Sequence, residues 1–201
     1  MKRTKEEAQV TRENIMNKGL TLFARKGYYH TTMEDIVGSL NLTKGAFYGH
    51  FESKEDLLKQ LLEREFQFIS TLVSESFVEH KDEKTLTQNL LHRVIDNFYD
   101  NKRFRKMILL TWFRMEIDVC NKVMDDKTTF NEFFIEEVHR ILQRALKNKL
   151  LKPKVHPYSA ALQITAMITG IYRLYFVTHD YLKHKDTAIA MVDGFVESTF
   201  L

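Results

Sequence analysis

The sequence TTMEDIVGSLNLTKGAFYGHF, residues 31–51, decides how the amino-terminal part of the chain folds. Thr32 is placed to cap a helix, because its hydroxyl can accept from unpaired amides at the helix start while two acids follow in the first turn. Asn41 tolerates the left-handed conformation of a tight turn, and Thr43 is placed to cap a further helix. The stretch therefore predicts two short helices joined by a turn, the helix-turn-helix pattern, over about residues 32–51.

The second of these helices, residues 43–51, has an unusual set of side chains on the face that does not pack inward. Its inward-facing apolar residues are Ala46, Phe47 and Phe51. Its outward positions are Thr43, Lys44, Gly45, Tyr48, Gly49 and His50. Hydroxyl, ammonium and imidazole groups near the start of a helix suit a phosphate-lined groove. The same residues also suit an ordinary solvated helix face, and their spacing alone leaves both interpretations open.

Composition predicts that the rest of the chain is helical as well. The 201 residues include 7 glycines and 2 prolines, whereas average usage is roughly 7% glycine and about 5% proline. Such a sequence disfavours an all-β sandwich or a glycine-looped nucleotide fold. We predict an all-α protein with a three-helix head on a larger helical body, about nine helices in all. Outside the helix-turn-helix, the predicted helices cover residues 5–26, 53–78, 85–99, 104–119, 128–149, 157–181 and 187–200.

Charge, cysteine content and hydropathy restrict the class of protein further. The first 54 residues hold nine Lys/Arg and six Asp/Glu, so the whole net charge of +3 lies at the amino end, where a polyanionic partner would bind. The single cysteine, Cys120, excludes an internal disulfide and a multi-cysteine zinc site. The most apolar stretch, residues 160–177, predicts a helix buried between other helices rather than a membrane span. We expect a cytoplasmic protein that does not contact a membrane.

Residues 11–62 resemble the amino-terminal domain of TetR-family transcriptional regulators. The similarity lies in the runs LFARKGY, TTMEDIV and LTKGAFYGHFESKEDLL, at residues 22–28, 31–37 and 42–58. Within the third run, the pattern Tyr-x-His-Phe-x-Ser-Lys-Glu-x-Leu is specific over its whole length. The opening RTKEEAQVTRENI, residues 3–15, is also similar to multidrug-efflux repressors of the AcrR type.

The resemblance implies DNA-binding roles for the matching positions. The residues expected to contact phosphate are Thr32, Tyr48 and His50. The residues expected to enter the major groove are Thr43, Lys44, Gly45 and Ala46. Lys54, with the amides at the start of the fourth helix, is expected to hold another phosphate. The DNA-binding domain would then cover residues 1–53, and residues 54–201 would form a helical ligand-binding and dimerisation domain.

Two positions of the motif depart from the family pattern. Asn41 stands where glycine is usual, and a left-handed turn accepts either residue. Gly49 stands where a bulkier residue is common. Glycine inside a helix costs about 1 kcal/mol relative to alanine, and it removes a side chain that could have touched DNA.

Aromatic residues and methionines are spread over the helices of the second part of the chain. At helical spacing such residues are usually core, but a cluster of them also suits an adaptable apolar pocket. The resemblance implies a pocket for a hydrophobic effector in this region. Its candidate lining residues are Phe66, Phe98, Trp112, Met115, Phe134, Met167 and Tyr172. Candidate polar anchors are Arg114, Gln163 and Arg173.

The last two helices predict an interface with a second copy of the chain. An apolar stripe on the last helix consists of Ile189, Val192, Val196 and Phe200. Together with the nearly all-apolar helix over residues 160–176, it offers more apolar surface than one subunit needs. We therefore predict a two-fold homodimer formed by a four-helix bundle. Two recognition helices about one turn of DNA apart would read a near-palindromic operator.

These features predict a ligand-responsive, DNA-binding transcriptional regulator, and repression is the commonest mode in the family. An alternative is a helical carrier or scaffold for apolar ligands whose DNA-binding head has no function. The sequence shows no glycine-rich phosphate loop, nucleophile elbow or HExxH motif, so we expect no enzyme, no catalytic residue, no metal site and no cofactor. The expected partners are double-stranded DNA, a hydrophobic effector and a second copy of the chain.

Overall fold

The computed structural model describes residues 4–79, 82–114, 119, 130–178 and 184–201. Within these residues the chain forms nine α-helices and one π-helical turn, Leu110–Arg114. The α-helices are α1 (Lys5–Lys26), α2 (Met33–Gly38), α3 (Lys44–Tyr48), α4 (Lys54–Glu79), α5 (Glu83–Asp100), α6 (Lys102–Leu109), α7 (Phe130–Lys147), α8 (Pro157–Val177) and α9 (Lys185–Thr199). The predicted all-α fold is confirmed. The extended pairing seen in the described ranges is an isolated bridge between Leu151 and Phe200.

The largest difference from the predicted helices follows α6. The sequence predicts one helix over residues 104–119, whereas α6 ends at Leu109 and the wider π-helical turn takes its place. The hydroxyl of Thr111 donates to the carbonyl oxygen of Met107 at 3.0 Å. A hydroxyl that bonds this carbonyl competes with the backbone amide that an α-helix would use. Residues 115–118 lie outside the described residues.

Reciprocal side-chain caps explain where α1 and α2 begin. The hydroxyl of Thr4 accepts from the Glu7 amide at 3.2 Å, and the Glu7 carboxylate accepts from the Thr4 amide at 3.0 Å. Thr32 and Asp35 make the same pair of bonds at the start of α2, both 3.0 Å long. Each capping box satisfies two amides that the helix itself leaves unpaired. The predicted cap at Thr32 is therefore confirmed.

The chain divides into two compact units. The head unit consists of Met1–Phe66 and Arg103–Lys127, and the body unit consists of Gln67–Lys102 and Thr128–Leu201. Helix α4 begins in the head unit and ends in the body unit. The head unit thus includes part of α4 and most of α6 in addition to residues 1–53. The functional division at residues 53 and 54 stays a prediction, because packing units are not functional domains.

The core of the head unit is formed by apolar side chains from α1, α2, α3, α4 and the α6 segment. Its largest buried members are Ile15, Met16, Leu20, Phe23, Ile36, Phe47, Phe51 and Leu57. The rings of Phe47 and Phe51 lie 5.5 Å apart at a tilt, a favourable geometry for an aromatic pair. Both are buried as predicted, so they fix α3 and the following turn to the rest of the head.

In the body unit, α9 packs on α5, and α8 packs on α7. The rings of Phe98 in α5 and Tyr172 in α8 are stacked with centroids 4.2 Å apart, and both side chains are fully buried. Polar bonds also hold α9 on α5. The ammonium of Lys185 lies 2.7 Å from a carboxylate oxygen of both Asp96 and Asp100.

The predicted dimer stripe on α9 is wrong for three of its four residues. Val192, Val196 and Phe200 have at most 1% of their surface exposed within the single chain, so they belong to the core of the body unit. Ile189 is half-buried. The physical reason is that α9 turns its more apolar face toward α5. A stripe read from periodicity identifies one face of a helix and does not say which partner covers it.

Helix α8 is also less enclosed than the sequence predicts. By length and composition it is the one helix of the described residues that could cross a membrane, a test that core helices of soluble proteins also pass. Ile164, Ile168 and Ile171 are buried on its inner side, whereas Leu162 and Leu174 are exposed on the opposite side. Burial on every side is therefore corrected to burial on one side. Gln163 and Arg173, predicted as polar anchors inside a pocket, are exposed, as is Arg114 in the head unit.

Candidate nucleic-acid interface

Helix α3 presents an outer face that is open to solvent. The hydroxyl of Thr43 caps it by accepting from the Ala46 amide at 3.3 Å, which confirms the predicted cap. Phe47 anchors its inner side and has no exposed surface. The exposed residues of the helix and its ends are Thr43, Lys44, Gly45, Tyr48 and Gly49, while Ala46 and His50 are half-buried. Tyr48 has 53% of its surface exposed, a large fraction for an aromatic side chain.

The turn before α3 sets the angle at which this face is presented. Asn41 has a φ of 55°, the left-handed conformation that its residue type tolerates. The Leu42 amide then donates to the carbonyl oxygen of Val37 at 2.9 Å, which closes the turn. Thr32 lies at the exposed start of α2, before the same turn. Helices α2 and α3 thus form the predicted helix-turn-helix.

Asp35 links the start of α2 to the end of α1. In addition to its bonds with Thr32, its carboxylate accepts from the Lys26 ammonium at 3.2 Å. The Thr32 amide, and then Lys26, hold the pKa of Asp35 below its ordinary value. The first turn of the helix-turn-helix is therefore held by a carboxylate that stays ionised.

Lys44 forms an ion pair with Glu34 of α2, a contact that the local sequence pattern does not predict. Both side chains are more than half exposed. The hydrogen bond between them lowers the pKa of Glu34 and raises the pKa of Lys44. Because α3 itself contains no acid, its sequence alone suggests an outer face with hydrogen-bond donors and no carboxylate. The acid is supplied by the neighbouring helix, ten positions earlier in the chain.

Lys54 has a different environment from the one that the resemblance implies. Its ammonium donates to the carbonyl oxygens of Tyr28 and Thr31, both at 3.0 Å. It also lies 4.2 Å from the centroid of the Tyr28 ring, a cation–π contact. Partial burial lowers the pKa of this ammonium. In the free protein, Lys54 thus fixes the turn between α1 and α2 to the first turn of α4, and its expected contact with phosphate stays a prediction.

The fold itself does not require glycine at positions 45 and 49. A Cβ atom built on Gly45 would meet only the Thr43 hydroxyl oxygen, at 3.7 Å. A Cβ on Gly49 would make ordinary contacts with the carbonyl oxygens of Gly45 and Ala46, at 3.5 and 3.7 Å. Because Gly45 has no side chain, the exposed backbone of α3 is accessible to a binding partner at this position.

The residues predicted to line an effector pocket are divided between the two units. Phe98, Phe134, Met167 and Tyr172 belong to the body unit, where the Phe98–Tyr172 stack is part of the core. Phe66 and Trp112 belong to the head unit and are half-buried. Met115 lies outside the described residues. A single pocket lined by all seven stays a prediction.

A groove of about 610 Å³ lies on the head unit. Its lining residues are Arg12, Met16, Asp56, Lys59, Gln60, Glu63 and Arg64. Six of these seven side chains are polar or charged, so the groove does not have the chemistry of an apolar effector site. Among the described residues, no group of three or more His, Cys, Asp or Glu side chains is placed to hold a metal ion.

Small and apolar residues are exposed on α8 and on α9 of the body unit, and we call this set of residues the outer face. On α8 it includes Leu162, Ala166, Leu174 and Val177, with Gly170 half-buried between them. On α9 it includes Ala190, Met191 and Gly194. A Cβ atom on Gly170 or Gly194 would meet nothing within 4 Å. The face that could receive a second copy is thus a different set of residues from the predicted stripe.

Comparison with known proteins shows what the chain is similar to. The family model of bacterial regulatory proteins of the tetR family matches residues 15–61. The HTH-type transcriptional regulator AcrR of Shigella flexneri is 24% identical over 172 residues, which cover 85% of this chain and 80% of AcrR.

Solved structures share the fold along nearly the whole chain. NalD of Pseudomonas aeruginosa, described as the secondary repressor of the MexAB-OprM multidrug efflux pump, has a TM-score of 0.77 at 21% identity and covers 98% of both chains. A SmeT–triclosan complex also has a TM-score of 0.77, at 22% identity, over 96% of this chain and 93% of SmeT. With its helix-turn-helix head and helical body, the chain has the same fold as these solved regulators, and its residues 15–61 match the tetR family model.

Proposed function

We propose that the chain is a homodimeric repressor in the cytoplasm that binds operator DNA through α3 and releases it when a hydrophobic small molecule binds the body unit. The observation that carries the proposal is the open outer face of α3. Lys44, Gly45 and Tyr48 are exposed there, while Phe47 holds the opposite side in the core. A helix fixed on one side and open on the other suits insertion into the major groove.

The proposed role of each residue in DNA binding follows from its exposure. Thr43, Lys44, Gly45 and Ala46 enter the major groove, and the exposed hydroxyls of Thr32 and Tyr48 reach phosphates on its edges. His50 is half-buried and lies beside the Phe51 ring, with centroids 6.4 Å apart. This packing holds the His50 imidazole in the position from which it contacts phosphate. Lys54 acts indirectly, by holding the turn that leads into Thr32.

Dimerisation through the outer face of α8 and α9 accounts for its composition. Alanines and glycines allow two helices to approach closely, and the leucines and methionine supply apolar area. Exposed residues of this kind on two neighbouring helices of one chain match the four-helix interface of a two-fold dimer. The dimer then sets the spacing of two recognition helices.

Effector binding would act through α4 and the π-helical turn, which both bond the turn that precedes α2. Helix α4 leaves the head unit after Phe66, and its first turn bonds the carbonyls of Tyr28 and Thr31 through Lys54. The π-helical turn bonds the same region, since the Tyr28 amide donates to the Arg114 carbonyl oxygen at 3.5 Å. A shift of either segment would therefore reach the start of α2. An effector lowers operator affinity only as far as it prefers the shifted state.

The effector is proposed to be apolar, and the bound triclosan of SmeT is an example of that chemistry in a protein of the same fold. Aromatic side chains of the body unit are available to bind such a molecule. Tyr99 and Tyr175 lie near the Phe98–Tyr172 stack, and both are half-buried. Repression is proposed because NalD, a structural neighbour over the whole chain, is described as a repressor.

The proposal is tested by enrichment from a randomised duplex library of about 30 base pairs, which is long enough for two half-sites one turn apart. We expect one near-palindromic sequence to be enriched. Its affinity should fall by about a thousandfold or more between about 50 and 200 mM salt if six or more phosphates are contacted. Triclosan and other apolar compounds should weaken the complex. Binding of these compounds without any salt-sensitive DNA binding would instead identify a carrier.

A further inference from the structure

We propose that Glu34 is a specificity-determining residue that holds Lys44 away from the phosphates of unrelated DNA. The inference rests on the proposed DNA-binding function. It starts from the ion pair between the Lys44 ammonium and the Glu34 carboxylate, which lies on the open side of the helix-turn-helix. Both partners are well exposed, so packing does not require this contact and the pair is free to exchange partners.

The ion pair has opposite consequences for unrelated and for preferred DNA. Binding to unrelated sequences comes almost entirely from cations that neutralise phosphates. Glu34 competes with phosphate for the charge of Lys44 and repels the backbone itself. It therefore weakens the sequence-independent part of the affinity.

At a preferred site the ion pair can persist. An ammonium has three donors, so Lys44 can keep one on Glu34 and direct the others to O6 and N7 of a guanine in the major groove. A carboxylate held beside it can accept from the amino group of a cytosine. The pair thus matches the edge of a G·C base pair better than it matches a phosphate. Specificity arises from the repulsive element as much as from the attractive one.

The test compares the wild type with Glu34→Gln on two duplexes at several salt concentrations. One duplex is the sequence that the wild type enriches from a randomised library, and the other is an unrelated sequence of equal length. For the unrelated duplex, we expect Glu34→Gln to tighten binding by roughly fivefold or more and to steepen the salt slope by about 0.9 for each subunit, because one more phosphate is contacted. Affinity for the enriched duplex should change much less, so the ratio of the two affinities falls.

Two further variants show whether Glu34 acts through Lys44. In a Lys44→Ala background, Glu34→Gln should no longer alter the salt slope, because the released cation is absent. Glu136→Gln makes the same change of net charge at an exposed position of α7 in the body unit, and it should leave the ratio unchanged. Thermal unfolding of each variant checks that the head is intact.

An equal change of affinity for both duplexes, or no change for either, would overturn the role of Glu34 while leaving the proposed function in place. A Glu34→Gln effect of the same size in the Lys44→Ala background would also overturn it. If the wild type enriches no sequence and binds no duplex, the proposed function and this inference both fail.

Discussion

Lys54 and Tyr28 join the first turn of α4 to the turn that precedes α2. The Lys54 ammonium lies 4.2 Å from the centroid of the Tyr28 ring and 3.0 Å from the Tyr28 carbonyl oxygen. Burial raises the pKa of Tyr28 to about 12, so its ring is neutral and its face attracts the cation. Since Thr32 lies just beyond this turn, the contact positions the start of the helix-turn-helix.

Replacing Lys54 with methionine keeps the aliphatic stem and removes the charge. Two carbonyl oxygens then lose a charged donor, so we expect the free energy of unfolding to fall by about 2 kcal/mol. Urea denaturation measures this change. Lys147→Met, at an exposed position in the last turn of α7, should have little effect. Unchanged stability combined with a shallower salt slope for DNA binding would instead support the phosphate-ligand role that the resemblance implied.

Gly45→Ala should separate DNA binding from stability. The added methyl group fits the free protein, because its nearest neighbour would be 3.7 Å away. We expect stability to stay equal or to rise by up to about 1 kcal/mol, since alanine favours the helix. Affinity for the enriched duplex should fall by about tenfold, or about 1.4 kcal/mol, because the methyl group occupies the space where the groove approaches.

The matched control for this substitution is Gly38→Ala. Gly38 is exposed at the end of α2, and a Cβ atom there would meet nothing within 4 Å. It should leave DNA affinity within about twofold of the wild type, a free-energy change of about 0.4 kcal/mol. Equal affinities for the two variants would show that α3 does not lie closely against DNA.

Glu13→Gln should reduce stability at neutral pH and hardly at all in acid. Arg64 donates to both carboxylate oxygens of Glu13, one bond being 2.7 Å long, and these bonds lower the pKa of Glu13 below its usual 4.5. A carboxyl with a lowered folded-state pKa stabilises the protein above its unfolded pKa, and the effect disappears as the pH falls through the folded value.

We expect a loss of about 1 kcal/mol at about pH 7 after discounting for the partial exposure of the pair. At about pH 3 or below the difference from the wild type should shrink. Urea denaturation at both pH values measures it, with Glu6→Gln in the exposed first turn of α1 as the control. A difference of the same size at both pH values would show that the ion pair is not its cause.

Gly194→Arg should disrupt the dimer without unfolding the subunit. Gly194 is exposed on the outer face, and a Cβ atom there would meet nothing within 4 Å. A two-fold interface would contain this bulky charge twice, once from each subunit, so we expect monomers in sedimentation experiments and weaker operator binding.

Val192→Ala is the contrasting variant, since Val192 is buried inside the subunit. It should lower the free energy of unfolding by about 1 to 3 kcal/mol and leave the association state of the folded protein unchanged. If Val192→Ala dissociated a stable dimer while Gly194→Arg did not, the predicted stripe on α9 would be the interface after all.

Local sequence signals predicted the head well. Caps at Thr32 and Thr43, the left-handed turn at Asn41 and the inward rings of Phe47 and Phe51 depend on neighbours within a few residues. Short stretches of sequence are therefore sufficient to predict these features. The resemblance to a known family added the expected roles and did not change these local predictions.

Contacts between distant segments could not be predicted in the same way. Lys54 meets carbonyl oxygens more than twenty positions earlier, and Lys44 meets an acid on another helix. Periodicity identified an apolar stripe on α9 but not what covers it, because the opposite face of the helix carries apolar residues as well. The side chains of Val192 and Met191 are neighbours in sequence, yet one is buried and the other is exposed.

The claim that two copies of α3 read one face of DNA is tested most directly by hydroxyl-radical footprinting on the duplex that the wild type enriches. We expect two protected segments whose centres lie about 10 base pairs apart, the spacing of two recognition helices in successive major grooves. Lys44→Ala should weaken protection in both segments together. A single protected segment, or protection that survives unchanged in Lys44→Ala, would contradict the claim.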